Sequence, residues 1–282
     1  MFMTDSIHYK VKIVSRGKGK SAVASAAYQA CETLTNEWDG VTHDYQKKKG
    51  LLFQEILLPS NAPPEYQDRG TLWNSVELYE KAKNAQLARN IVIALPKELS
   101  LEENKQLIRE LIQKDFVSKG MIADSAIHDE SDEGNHNIHA HVMLTLRFLK
   151  ENGTWGEKSR KEYVFDKEGN PVLTANGKQK TRKIELTDWN EKGNVERWRE
   201  SYAALCNRYF KDRGIQKQVD HRSYEKQGIE RIPTIHMGAA TSALERKGIA
   251  REKALRQKRV SSIERLRNKI VCYRGFKRKS NN

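Results

Sequence analysis

Three histidines, His128, His139 and His141, have the spacing to meet on one face of a β-hairpin. Side chains alternate along a strand, so His139 and His141 project to the same side. A turn centred near Glu133-Gly134 sets His128 opposite one of them, and residues directly opposite share a face. Three neutral imidazoles suit a divalent ion, and ligands drawn from one protein face leave coordination positions open for a substrate oxygen. That is the geometry of a catalytic ion. An exposed polar strand face is the competing explanation of a lone His-x-His pair; the third histidine in matching register speaks against it. His136 has the wrong parity and is held as a reserve ligand. Carboxylates are absent from the inward face of this strand pair except near Asp129, which disfavours a two-ion nuclease site.

Beside nucleic acid, such an ion makes a phosphate more electrophilic, and the chemistry then needs a nucleophile, either water or a tyrosine hydroxyl. Attack by tyrosine would keep the phosphodiester energy in a covalent link from which the strand can be rejoined. Tyr28 sits in Ser21 to Cys31, a stretch rich in small residues and helix formers. Packing with its hydroxyl at the rim is the alternative for a tyrosine there. Its neighbours Ala24, Ala27 and Ala30 let the helix approach a sheet or DNA closely.

The charge balance favours a polyanion as partner. The 282 residues hold 51 Lys+Arg against 37 Asp+Glu, a net charge of +14. Between Glu245 and Lys279 there are 14 basic residues and 3 Glu, so most of the excess is C-terminal. Such a run is either a solvated helix or an arm on nucleic acid. Mean hydropathy is −0.80, and no window approaches the ~18 apolar residues of a membrane span. The residues Met1 to Asp5 lack the charged-then-apolar pattern expected of a signal peptide. A cytoplasmic protein without membrane insertion is expected, and the 3 widely spaced cysteines are expected reduced.

The elements that must position these groups follow from periodicity. Ile7 to Val14 alternate as a first strand, Ser21 to Cys31 form a helix, and a polar loop through Asp39-Gly40 and Lys47 to Gly50 leads to a strand over Leu51 to Leu58. A helix is predicted from Glu65 to Ala85, a strand from Arg89 to Leu95, and a helix capped by Ser100 with Glu103 that stops before Gly120. Strands Ala123 to Asp129 and Ile138 to Phe148 make the histidine hairpin. Three turn signals in Glu151 to Leu186 mark an inserted β-hairpin or flap. A last helix runs from Asn194 to Arg213, followed by Gly214. The alternation of strands and helices around antiparallel hairpins gives an α+β fold with one sheet.

In this order the residues resemble the MobA/MobL relaxases. The likeness is carried by Ala-Ser-Ala-Ala-Tyr28-Gln-Ala, Trp73 to Glu77, Ala85 to Arg89, His128 with His139-Ala140-His141, and Val219 to Tyr224 followed by Gln227 to Arg231 and His236. It spans about residues 7 to 238. It implies an antiparallel palm backed by helices, as in histidine-hydrophobic-histidine endonucleases, over residues 1–238 with a flap at about 150–186, followed by a basic helical tail over 239–282. The implied activity is that of a plasmid relaxase, which nicks one strand at a transfer origin and keeps its 5′ end on a tyrosine. Tyr28 is then the nucleophile, and His128, His139 and His141 hold Mg²⁺ or Mn²⁺. Implied partners are single-stranded or supercoiled plasmid DNA, relaxosome accessory proteins and a type IV secretion coupling protein. Two rival functions are a DNA-binding protein with a decayed site and a rolling-circle replication initiator or transposase.

Two positions depart from the family pattern. Ile138 stands where relatives usually carry Pro, and Asn90 follows Ala-Arg where they tend to carry Glu. An amide can orient a neighbour but takes no proton at neutral pH, so Glu80, or Glu77, is the expected substitute base. Lys18, Lys20, Lys158, Arg160, Lys161, Lys178, Lys180, Arg182 and Lys183 are expected on DNA phosphates. Arg222 has a structural or a DNA-contact role, and Trp155 and Tyr163 either stack on bases or pack the flap.

Overall fold

The computed structural model describes residues 4–129 and 137–229. His136 and the expected tail over 239–282 therefore lie outside the described residues. Two compact units are present, the first ending at His221 and the second beginning at Arg222. The site belongs to the first.

In chain order the elements are β1 (Thr4–Ser6), β2 (Tyr9–Ser15), α1 (Ala22–Ala30), β3 (Thr33–Thr35), β4 (Thr42–Asp44), β5 (Leu51–Leu57), α2 (Arg69–Tyr79), β6 (Gln86–Ala94), α3 (Leu101–Asp115), β7 (Ala123–Asp129), β8 (Ile138–Thr145), β9 (Ser159–Tyr163), β10 (Thr181–Glu185), α4 (Asn194–Asp212) and β11 (Gln218–Asp220). Five antiparallel strands form one sheet in the order β2-β6-β8-β7-β5, the α+β architecture predicted above.

Alternation sorts this sheet into two faces. On one, Ile91, Ile93, Ala140, Val142 and Ile127 pack against Leu107 and Leu111 of α3 and Trp198, Tyr202 and Phe210 of α4. On the other, Ala88 and Met143 meet Ala22, Val23 and Ala26 of α1 and Leu72 and Trp73 of α2. Each large apolar side chain buried this way contributes about 1.5–3 kcal/mol, which seats both helix layers on the palm. The predicted capping box at the start of α3 is present, with Ser100 and Glu103 exchanging hydrogen bonds.

Three expectations need correction. The helix predicted over 65–85 is only α2, because Asp68 caps its start through Thr71 N. At its other end the Arg16 guanidinium donates to the carbonyls of Glu77, Glu80 and Ala82, which a further helical turn would have used. The polar stretch after Cys31 is not wholly loop. It folds into the β3/β4 ribbon, with Thr33 donating to Asp44 and Thr35 paired with Thr42. Strand β8 stops at Thr145, short of the expected Phe148.

The insert forms an antiparallel ribbon of β9 and β10, extended by bridges Phe165–Pro171 and Leu173–Gln179. Its first turn signal closes a separate tight turn in which Gly153 adopts φ 76°. That turn buries Trp155 against α2. The indole stacks on Tyr66 at 5.4 Å and donates to Ser75, so Trp155 packs the insert onto the body.

Candidate active site

His128 pairs directly with His139 across β7 and β8, and His141 follows on the same face. The ring centroids are 5.7, 5.3 and 5.0 Å apart. Imidazoles bonded to one ion at ~2.1 Å would sit at about this spacing. Among the described residues no three His, Cys, Asp or Glu side chains already grip a common point; the donor chemistry nevertheless fits an ion. A carbonyl can only accept, so His128 Nε2 carries the proton it gives to Gln29 O at 2.6 Å, and His139 Nδ1 carries the one it gives to Asn137 O at 2.8 Å. His128 Nδ1 and His139 Nε2 are left with lone pairs, the arrangement found when metal-binding histidines are oriented from behind. His141 is pushed down to about 3 by burial and by the neighbouring His139, His128 and Lys48, and is neutral at ordinary pH.

Helix α1 brings Tyr28 to this cluster. Ser21 caps it by accepting Ala24 N, and the buried Glu77 carboxylate accepts Ala22 N at 2.7 Å. A carboxylate there satisfies an otherwise unpaired amide and opposes the positive helix end. At the far end, Gln29 carries one of the carbonyls that a helix terminus leaves over, and that carbonyl receives the His128 proton. The Gln29 side chain donates to Asp124 O on β7. The helix is thus registered on the histidine strand through its last turn. Ala26, Ala27 and Ala30 are buried, whereas Tyr28 is 42% exposed, edge-on to His141 at 6.5 Å and to Tyr45 at 5.3 Å.

A carboxylate does occupy the histidine face, contrary to expectation. Asp124 shares the parity of His128 and is fully buried beneath α1 and α2. It accepts from Arg69 Nε and Nη2, each at 2.9 Å, and from Trp73 Nε1 at 2.8 Å. Burial opposes the Arg69 charge, but Asp124 and Glu32 outweigh it and hold the guanidinium above its ordinary range. Burial in turn pushes Asp124 up against these donors. The carboxylate is spent on the framework.

Asn90 lies on the histidine face too, opposite Met143 on β8, and so diagonal to His141 at about 7–8 Å. Its Oδ1 is buried without a hydrogen bond among the described residues. Glu80, the expected substitute base, is elsewhere. It pairs with Arg147 and Lys158, both at 2.7 Å, beyond the end of β8 remote from the histidines. Glu77 is held by Arg16 and the start of α1, six residues of helix from Tyr28, or about 9 Å. Sequence distance misled here, because α2 runs antiparallel to α1, with Arg69 beside Glu32 just past the end of α1 and Glu77 at its start.

Burial pushes the Glu80 carboxyl up, yet hydrogen bonds from Arg147 and Lys158 outweigh it and hold it below its ordinary range. Its contribution is therefore present above the ordinary carboxylate pKa of ~4.3 and lost as pH falls through the lower folded value. Glu80→Gln is expected to cost about 1–3 kcal/mol in denaturant melts at pH 7, with a smaller deficit at acid pH. The strand cleavage that the family resemblance implies should keep its rate at saturating DNA within about threefold; a loss near 100-fold would restore Glu80 as the base.

The expected DNA contacts divide. Lys158 and Lys183 line a groove of about 870 Å³ with Tyr66, Tyr79 and Arg147. None of the three histidines lines that groove. Arg160 and Arg182 both pair with Glu162, while Lys161 stands opposite Lys183 on the other face of the ribbon. Lys178 and Lys180 are exposed in the ribbon, Lys18 and Lys20 before α1. Tyr163 is 62% exposed. Arg222 opens the second unit, where its carbonyl accepts from Gln227.

Two further groups were missed in the sequence. Lys10 and Lys12 project from β2 on the histidine face, Lys10 in the same cross-strand row as Val92 and His141. Burial and then the charges of Lys10 and Lys20 push Lys12 down, so these cations are gathered. The Lys-x-Lys alternation in the first strand was the available signal. Lys48 and Tyr45, on the loop before β5, had none.

A palm whose open face joins three histidines and a tyrosine matches known proteins. The MobA/MobL family profile covers residues 20–247, and the chain belongs to that family. It is 38% identical over 92% of its length to a probable conjugal transfer protein TraA of Sinorhizobium fredii, of which it spans 23%. It is 35% identical over 86% of its length to a probable mobilization protein MobA of Bifidobacterium longum, of which it spans 44%. The chain thus covers less than half of either relative. A solved structure described as "Molecular Basis of Vancomycin Resistance Transfer in Staphylococcus aureus" superposes with a TM-score of 0.64 at 31% identity, over 78% of this chain and all of that one. No helix among the described residues is long and apolar enough to cross a membrane.

Proposed function

We propose that this chain is the nicking and strand-transfer part of a plasmid mobilisation relaxase. The observation that carries it is the docking of α1 on the histidine strand, His128 to Gln29 O, which sets an exposed tyrosine beside three imidazoles. His128 through Nδ1, His139 through Nε2 and His141 would hold Mg²⁺ or Mn²⁺. When bound, that ion supplies Lewis-acid polarisation of a non-bridging phosphate oxygen.

The remaining work falls to the chain. Tyr28 Oη attacks phosphorus in line; its bond to phosphorus forms as the phosphorus–O3′ bond breaks. The departing oxygen takes a proton from water and becomes a 3′-hydroxyl, and the phenol proton leaves to solvent through the open cleft. The 5′-phosphotyrosine preserves the link until a 3′-hydroxyl reverses the step. Lys10 and Lys12 on the histidine face, with Lys18 and Lys20 before α1, hold the backbone of the strand, while Lys158, Lys161, Lys180 and Lys183 hold DNA at the ribbon. Contacts of this kind position DNA without reading its sequence. Family membership and the conjugal-transfer names of the relatives support a transfer origin as the substrate, relaxosome proteins and a secretion coupling protein as partners, and a cytoplasmic site of action.

Supercoiled plasmid carrying the cognate origin tests this. With Mn²⁺ the full chain should convert it to the relaxed form and remain attached to DNA on denaturing gels, and EDTA should abolish both. A salt-sensitive gel shift without relaxation would instead mark a DNA-binding protein with no catalysis.

A further inference from the structure

Lys48 reaches into the site from the loop between β4 and β5. Its ammonium lies 3.0 Å from His128 Nδ1 and 4.7 Å from the centre of the Tyr28 ring. The fold builds this position. Lys48 N donates to Tyr45 O, Tyr45 N donates to Glu32 O just past α1, and Asp129 N donates to Gly50 O on the other side of the loop. Gly50 adopts φ +94°, and a Cβ there would stand 2.5 Å from Asp129 O, so the loop is pressed onto the histidine strand. Tyr45 packs edge-on to the nucleophile ring.

His128 Nδ1 has one lone pair. It accepts from Lys48 or it binds an ion, and it cannot do both. An ion held through His128 Nδ1 would therefore displace an ammonium that lies over the Tyr28 ring, between the nucleophile and the imidazoles. The scissile phosphate must lie in that space, and a cation preplaced there stabilises charge that develops on its oxygens. We infer that Lys48 is a catalytic residue that competes with an ion for His128 Nδ1 and, when the ion holds that nitrogen, moves onto a non-bridging oxygen of the scissile phosphate. This rests on the nicking proposal for the site.

The test has two arms on the full chain. Calorimetric titration of Mn²⁺ without DNA should show Lys48→Met binding roughly three- to tenfold more tightly than the parent, because the competing hydrogen bond is gone. At saturating Mn²⁺ the same variant should form the covalent adduct with origin oligonucleotide roughly 100-fold more slowly, with Lys48→Arg recovering part of the rate. A residue that merely oriented His128 would weaken Mn²⁺ binding and leave the saturated rate intact. Equal or weaker binding by Lys48→Met, or an undiminished saturated rate, overturns the inference. A parent protein that binds Mn²⁺ but forms no adduct fails the nicking proposal, while the titration still decides whether Lys48 competes with the ion.

Discussion

Tyr28→Phe should abolish covalent attachment to DNA and reduce nicking by roughly 10⁴-fold or more, with the melting temperature unchanged within about 2 °C. The expectation combines two facts. The hydroxyl is the only group lost, and it is the group that the proposed attack requires. The ring stays, with its edge contacts to Tyr45 and His141, and α1 keeps its buried alanines and its anchors at Glu77 and Gln29. DNA affinity should therefore persist. Quench-flow nicking of an origin oligonucleotide, alongside a binding isotherm, separates the two quantities. Residual cleavage within tenfold of the parent would mean that water or another tyrosine attacks.

Asp124→Ala should be the most damaging single change to the framework. It strands the buried Arg69 guanidinium and the Trp73 indole N–H, and removing one partner of a buried ion pair costs about 3–5 kcal/mol. For a body of this size that is about 10 °C or more in melting temperature. The damage should spread to function because Asp124 lies on the strand that carries His128, and its own carbonyl accepts the Gln29 side chain that seats α1. A double variant, Arg69→Met with Asp124→Leu, removes both charges together and should recover much of the loss. Thermal melts of the three proteins read this directly. If the single variant lost under 1 kcal/mol, the network would not be what holds α2 to the palm.

The palm was legible because its signals are local. Strands β7 and β8 alternate in sequence, and the polar stretch between them sets the turn, so His128 opposite His139 follows from counting. The same holds for α1, α4 and the capping box of α3. What escaped depends on contacts far apart in sequence. Nothing near Glu80 announces that Arg147 and Lys158 will claim it, or that Arg16 will end α2 early. Asp124 has the parity of a ligand, and only Arg69, 55 residues away, makes it a framework group. Lys48 was one lysine among three in a polar loop until the β3/β4 ribbon and Gly50 fixed where that loop lands.

The central claim is that Tyr28, positioned by α1 over the three histidines, is the residue that receives the cleaved strand. Peptide mapping by mass spectrometry, after reaction of the full chain with an origin oligonucleotide and Mn²⁺, addresses it most directly. The nucleotide mass should appear on the peptide containing Tyr28, and should be absent when the ion is chelated. An adduct carried by Tyr45, Tyr163 or any other residue would contradict the account.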